Sequence, residues 1–282
     1  MLVEMAIGDA YGAAFEFVSD EHIRLENDLT RYKLNPEISL GGGRYTDDTQ
    51  MSIALAEHIL SGEPTNRYNL MSRFLEVFKR DPRRGYSKRL YQLLLEAASV
   101  DDFCQRMQPL STRSGAAMRA SPAGLLSDLY DVKALAEFQA SLTHDTMEGR
   151  ISATAIAVMV HYLAYALGPR EELGRFLDVQ VAGYAWSEPW QGRVDMLGTS
   201  CAHAAIYLVS SLGSQQQVLR NAVALGGDVD TVAAIAMFSA SLCPAVLRDL
   251  PAELYDGLEN ETYGRSFLEG LDRRLMAFAG IN

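Results

Sequence analysis

Apolar residues recur along this chain at helical rather than strand spacing. Between Asn66 and Arg80, residues Leu70, Met71, Phe74, Leu75 and Phe78 fall on one stripe with a period of about 3.6 residues. The segments Lys88–Ala98, Asp131–Leu142, Glu171–Trp186, Thr199–Leu212 and Arg265–Phe278 show the same spacing, so each predicts an amphipathic helix. Ile151–Gly168 is apolar on most sides and barely long enough to span a bilayer. It carries Ser152, Thr154 and His161, and reads as a buried central helix. The prolines fall mainly between these segments, where they punctuate helices. No series of alternating apolar and polar positions predicts strands, no repeat is found, and no Gly/Ser/Pro-rich linker divides the chain. The pattern predicts an all-α fold, one compact multi-helix domain over residues 1–282.

Two stretches interrupt the helical pattern. One is GGGRYTDDTQ, Gly41–Gln50, followed by the apolar helix Met51–Leu60; the other is GGDVDT, Gly226–Thr231, followed by Val232–Leu242. Each is a glycine loop, a knot of Asp and Thr, and then a helix of buried character. Consecutive helical residues point about 100° apart, so Thr46, Asp47 and Asp48 can converge only at a helix entry, where the backbone has not settled. Asp and Thr are also ordinary N-caps, but one cap needs one such residue. Adjacent Asp47 and Asp48 repel each other, and Asp228 and Asp230 repeat the arrangement. Two loops of this design favour a metal site over two caps. The donors are carboxylates and hydroxyls without His or Cys, which selects magnesium, manganese or calcium over zinc or copper. Four aspartates balance two divalent ions, and a binuclear centre can activate water and hold a substrate oxygen.

Three weaker features complete the candidates. Glu16, in GDAYGAAFEF, reads from spacing alone as a solvated residue of an amphipathic first helix. TRSGAAMRASPAG, Thr112–Gly124, is a small-residue turn whose backbone N–H groups suit a phosphate. His144, in SLTHD, reads first as a cap or a packed residue, and spacing only permits a pocket role.

Composition narrows the partners. The net charge is −11 and Lys/Arg runs stop at pairs, which excludes the basic stripe of a nucleic-acid binder. An anionic ligand would then need metal ions, helix N-termini or single arginines. The cysteines, Cys104, Cys201 and Cys243, are odd in number and far apart, which predicts reduced thiols in a cytoplasmic protein. The start MLVEMAIGDAYG lacks the features of a signal peptide, and no membrane association is expected.

GDAYGAAFEF (Gly8–Phe17), YTDDTQMSIALAEHIL (Tyr45–Leu60), SGAAMRASPAG (Ser114–Gly124), SLTH (Ser141–His144) and LGGDVDTVAAIA (Leu225–Ala236) together resemble, in this order, the ADP-ribosylglycohydrolase family. The resemblance spans nearly the whole chain, and TDDTQM paired with GGDVDTVAAI is its most specific part. It implies a compact all-α fold with a metal cleft. Thr46, Asp47 and Asp48 match the family's ligands to one ion. Asp228, Asp230 and Thr231 match those to the second, with Asp230 bridging. Glu16 matches an acidic residue beside the metals, and with Asp47 and Asp48 it forms the catalytic candidates. Ser114, Gly115, Ala116 and Met118 match the loop lining the ADP-ribose site, and His144 a histidine near the same ligand. Ser114–Gly115 stands where the family often has Asn-Gly. The implied cofactors are two divalent ions, Mg2+ or Mn2+. The implied activity is hydrolysis of an ADP-ribosyl bond on a protein or small conjugate, ADP-ribosylarginine first. A non-catalytic ADP-ribose binder and an all-α nucleotide pyrophosphohydrolase are the competing readings. The latter typically gathers carboxylates at ExxE spacing, unlike these loops.

Overall fold

Apolar periodicity becomes helix almost wherever it occurs. The computed structural model describes residues 1–281. The helices run α1 (Leu2–Gly12), α2 (Asp20–Glu26), α3 (Asp47–Ser61), α4 (Arg67–Arg80) and α5 (Lys88–Glu96). Next come α6 (Val100–Arg106), α7 (Gly115–Met118), α8 (Leu129–Ser141), α9 (Met147–Ala164) and α10 (Leu173–Gln180). The last are α11 (Gly198–Ser211), α12 (Gln215–Ala224), α13 (Val229–Leu242), α14 (Ala252–Gly257) and α15 (Arg265–Ala279). Among the described residues there is no sheet, only isolated bridges between loops and two 3-10 turns.

Many of these helices start where a short polar side chain can accept a free N–H. Ser19, Asn66, Ser87, Ser99, Asp128, Thr146 and Ser214 all do so. One expected helix is corrected. Glu171–Trp186 is a 3-10 turn, Arg170–Glu172, followed by α10, which stops at Gln180. Gly183 takes a left-handed φ of +101°, and Trp186 folds back from the loop with its indole N–H on the Val181 carbonyl at 3.0 Å. The buried indole donor is satisfied there, which continued helix would not achieve.

The helix expected at Ile151–Gly168 is α9, and it is buried from Ser152 to Leu163. Its polar side chains bond inward: Ser152 to the Gly149 carbonyl at 3.2 Å and Thr154 to the Arg150 carbonyl at 2.8 Å. Among the described residues no helix is long and apolar enough to cross a membrane.

Every residue of α13 is buried, with α1, α3, α9, α11 and α12 packed around it. Its closest approach is to α1, at Gly8 and Gly12. A β-carbon on Gly8 would lie 2.5 Å from the Ala233 carbonyl oxygen, and one on Gly12 would lie 2.5 Å from the Asp230 Cα. Backbone cannot yield as a flexible side chain does. Gly12→Ala is therefore expected to separate the two helices at a cost of about 1–3 kcal/mol, the usual penalty of overpacking. Thermal denaturation should show a Tm several degrees lower, and an unchanged Tm would show that the crossing adjusts freely.

Candidate active site

The close crossing of α1 and α13 has a chemical result: it carries Asp9 to the entry of α3. Asp9, in the second turn of α1, is fully buried. Its carboxylate accepts from the Thr46 N–H at 2.9 Å, the Thr49 N–H at 3.0 Å, and the hydroxyls of Thr46 (2.8 Å) and Thr49 (2.7 Å). Asp9 thus does for α3 what an N-cap side chain does elsewhere in the chain. Thr46, at the N-cap position, makes no such bond, and neither does Asp228 at the start of α13. Neither knot therefore caps its own helix through the N-cap side chain. The helix entry is capped from another part of the chain, and Asp47 and Asp48 keep their carboxylates for other work.

Those carboxylates face the one formed at the other entry. Phe17 donates its N–H to the Gly227 carbonyl at 3.0 Å, which draws the turn after α1 onto the second glycine loop. Glu16 is therefore not a solvated residue of the first helix. It lies beyond the end of α1, half-buried, with carboxylate oxygens of Glu16, Asp228 and Asp230 all within 4.8 Å of one another. Asp228 accepts from the Ser114 hydroxyl at 3.0 Å and sits 3.4 Å from the Cys201 thiol. The Ser at the position where the family often has Asn thus anchors a site carboxylate.

A cavity of about 500 Å³ opens above this cluster. Its lining holds the acidic group Glu16, Asp47, Asp48, Asp228 and Asp230 with Thr231, and a second group, Gly115, Met118, Arg119, Thr143 and His144, with Ser114 joining the two through its bond to Asp228. An outer wall of Leu90, Leu93, Met107, Leu110 and Met196 carries Arg89 and Arg113. Two of the expected residues are not part of the lining. Thr46 is turned to Asp9, and Ala116 is buried with its carbonyl accepting from Gln139 at 2.9 Å. On the short helix α7 the residues that face the cleft are Gly115 and Met118, one turn apart, so Ala116 points to the core.

The acidic group has no positive counterpart among the described residues: none of Asp9, Glu16, Asp47, Asp48, Asp228 and Asp230 is ion-paired. Burial, reinforced by Asp228 and Asp9, pushes Glu16 up to about 7. Burial likewise raises Asp47, Asp48 and Asp230, whose next causes are Asp9, Asp47 and Glu16 in turn. Asp48 Oδ1 is buried without any hydrogen-bond partner. Buried carboxylates need cations or protons. An orphaned oxygen inside an all-oxygen donor set fits hard divalent ions.

Gly85, which no sequence signal singled out, completes the floor. It has φ +105°, and a β-carbon there would lie 2.0 Å from Asp47 Oδ1. Its neighbour Arg84 accepts the Asp47 N–H on its carbonyl at 3.1 Å. Gly85→Ala is expected to displace the Asp47 carboxylate and weaken divalent-metal binding by about 10–100-fold, the range seen when support of a ligand is lost. Calorimetric titration with Mn2+ checks this; unchanged affinity would show that Asp47 is not a ligand or is held otherwise.

The geometry can be set beside known proteins. Mouse ADP-ribosylhydrolase ARH3 is 28% identical to this chain over 294 residues, covering 82% of the chain and 79% of the mouse protein. The ADP-ribosyl-[dinitrogen reductase] glycohydrolase of Rhodospirillum rubrum is 25% identical, covering 99% and 95%. A solved structure titled an ADP-ribosylglycohydrolase-related protein complex superimposes with a TM-score of 0.71 at 22% identity, over 99% of this chain and 96% of that one, and so shares its fold. The family model described as ADP-ribosylglycohydrolase matches residues 1–279, nearly the whole chain. With an acidic cleft built from both of its Asp/Thr knots, this chain belongs to the ADP-ribosylglycohydrolase family and is a glycohydrolase enzyme.

Proposed function

We propose that this enzyme hydrolyses the N-glycosidic bond of ADP-ribosylarginine, on a protein or a small conjugate, with two divalent ions, Mg2+ or Mn2+. The observation that carries this reading is the cluster of carboxylates without ion-pair partners lining a cavity that also offers Ser114, Gly115, Thr143 and His144. Thr46, Asp47 and Asp48 would hold one ion, and Asp228, Asp230 and Thr231 the other. Asp230 would be shared, a role supported by the charges of Glu16, Asp48 and Asp228 that act on it. When bound, the ions supply Lewis-acid polarisation of water and of the sugar hydroxyls.

The chain's own groups would do the rest. Ser114, Gly115, Met118 and His144 would orient the ADP-ribosyl moiety. Glu16 moves the proton, taking it from the attacking water or giving it to the departing nitrogen. Asp47 and Asp48 oppose the positive charge that grows on the sugar as the bond breaks. An acidic cleft also suits a guanidinium leaving group, which is why the arginine linkage is preferred over an oxygen-linked one. Three unpaired cysteines fit the reducing cytoplasm.

Incubation with ADP-ribosylarginine, an O-linked ADP-ribosyl conjugate, ADP-ribose and a nucleoside triphosphate, each with Mg2+ or Mn2+, tests the proposal. Release of ADP-ribose from the arginine conjugate is expected, faster than from the O-linked one. Preference for the O-linked conjugate would overturn the linkage. Cleavage of the triphosphate alone would overturn the reaction class. Binding of ADP-ribose without turnover of any substrate would mark a non-catalytic receptor.

A further inference from the structure

We infer that Arg119 and Thr143 are positioning residues that hold His144 as a neutral ring with its single proton on Nε2, a fixed donor to an acceptor oxygen of the ligand's diphosphate. This rests on the reading that the cavity takes an ADP-ribosyl ligand.

The argument begins with a buried arginine that has no acid. Arg119 follows α7 directly and is almost completely buried, with its guanidinium 4.7 Å from the Phe74 ring centroid. Among the described residues it makes no ion pair. Its donors go to neutral acceptors: Nε to Gln139 Oε1 at 2.6 Å, Nη1 to the Gly115 carbonyl at 2.8 Å, and Nη2 to the Gln139 carbonyl at 3.0 Å and to Thr143 Oγ1 at 2.7 Å. Gln139 is oriented in turn, since its amide nitrogen donates to Ala116. A buried charge is costly, and bonding at four places makes it tolerable.

Proton counting then fixes the histidine. A guanidinium only donates, so Thr143 Oγ1 is the acceptor toward Arg119. Thr143 Oγ1 also lies 2.7 Å from His144 Nδ1. The hydroxyl oxygen could accept twice, but its own proton needs an acceptor, and His144 Nδ1 is the one within reach of it among the described residues, so that proton points at Nδ1. Nδ1 is then an acceptor, and the ring proton is on Nε2. Burial, with the Arg119 charge beside it, drives His144 down to about 3, so the ring is neutral across the physiological range. A β-carbon on Gly115 would come within 2.8 Å of His144 Cε1 and 2.9 Å of Nε2, so the edge bearing that proton lies against the Gly115 turn.

The chemistry of this corner is the reverse of the acidic group's. A neutral N–H donor in front of a buried, uncompensated positive charge favours a group that only accepts hydrogen bonds and carries negative charge. A diphosphate oxygen has both properties. The two groups lining one cavity would then sort the ligand: the sugar toward the carboxylates, the diphosphate toward Gly115 and His144.

The test reads the ring directly. Nitrogen-15 chemical shifts of His144 in the ligand-free protein are expected to show a protonated Nε2 and an unprotonated Nδ1. Thr143→Val, which keeps shape but lacks the hydroxyl, should give mixed tautomers and weaken ADP-ribose binding by about 5–10-fold, the size of one lost hydrogen bond. Thr143→Ser, which retains the hydroxyl, should restore both. Arg119→Lys, with one charge but no fork, should also mix the tautomers while thermal denaturation still shows a folded protein. A proton on Nδ1 in the wild type would overturn the proposal. So would Thr143→Val with an unchanged tautomer and unchanged affinity. The shifts are read without ligand, so they decide the tautomer even if the wild type fails to bind ADP-ribose, a failure belonging to the functional reading.

Discussion

Treatment with EDTA is expected to abolish ADP-ribose release, and Mg2+ or Mn2+, but not Zn2+, to restore it. The reason lies in the donors: carboxylates and Thr231 line the cavity floor, and the nearby Cys201 thiol, held protonated by burial and by Asp228, donates to that carboxylate rather than offering a thiolate to a soft ion. Without cations, burial and mutual repulsion favour protonation of these acids, so the charge pattern that would hold the sugar is lost. Asp230→Ala should reproduce much of the effect. Asp230 is raised by burial and by the charges of Glu16, Asp48 and Asp228, and its carboxylate lies within 4.8 Å of those of Glu16 and Asp228, which suits the shared role proposed for it. Asp228 lies in the same group but is already engaged by Ser114 and Cys201. Losing a group that merely supports a ligand costs about 10–100-fold, so loss of a shared ligand should exceed that range and exceed the loss in Asp228→Ala. Metal stoichiometry by calorimetry should fall in parallel. Full activity in chelator would end the metal mechanism, and an Asp230→Ala protein with wild-type rate and stoichiometry would refute the ligand assignment.

Glu16→Gln is expected to lower kcat by roughly 10²–10⁴-fold, the usual contribution of a positioned acid or base. The substitution keeps shape and hydrogen-bonding capacity but removes the charge and the transferable proton. The backbone around Glu16 is held independently of its side chain: its carbonyl accepts from Asn35 Nδ2 at 3.0 Å, and Phe17 is tied to Gly227. The fold should therefore survive, and affinity for free ADP-ribose should change far less than the rate. Lost ADP-ribose binding with metals retained would instead make Glu16 a substrate-positioning residue. A wild-type rate would remove it from the chemistry.

Much of the architecture was legible because burial imposes a period on any helix that packs. The stripe Leu70–Phe78 is α4, and α5, α8, α11 and α15 lie within a few residues of their expected limits. The Glu171–Trp186 stripe misled because an aromatic residue returning from a loop can bury itself in phase with the helix before it. The knots TDDT and GDVDT were legible as well, since a surplus of adjacent acids is unfavourable unless something compensates it. Asp9 was not. It lies mid-helix among apolar residues, and only the partner it meets across the fold, the entry of α3, gives it a role. Gly85 was hidden for the same reason: one glycine in a loop carries no trace of the carboxylate it must admit.

Residue types and their periods thus determined, by themselves, the helical class, the buried helices α9 and α13, and the hard-oxygen character of the site. These are properties of a residue and its near neighbours, which propensity, periodicity and donor chemistry express locally. Tertiary structure alone decided that Asp9 caps α3 so that Asp47 and Asp48 do not, and that Glu16 leaves the first helix to join Asp228 and Asp230. It alone placed Arg119 behind Thr143 and His144. Each depends on groups far apart in sequence meeting within hydrogen-bonding or Coulombic range. That distance is set by how helices cross, at Gly8 and Gly12 above all, and no local pattern encodes it.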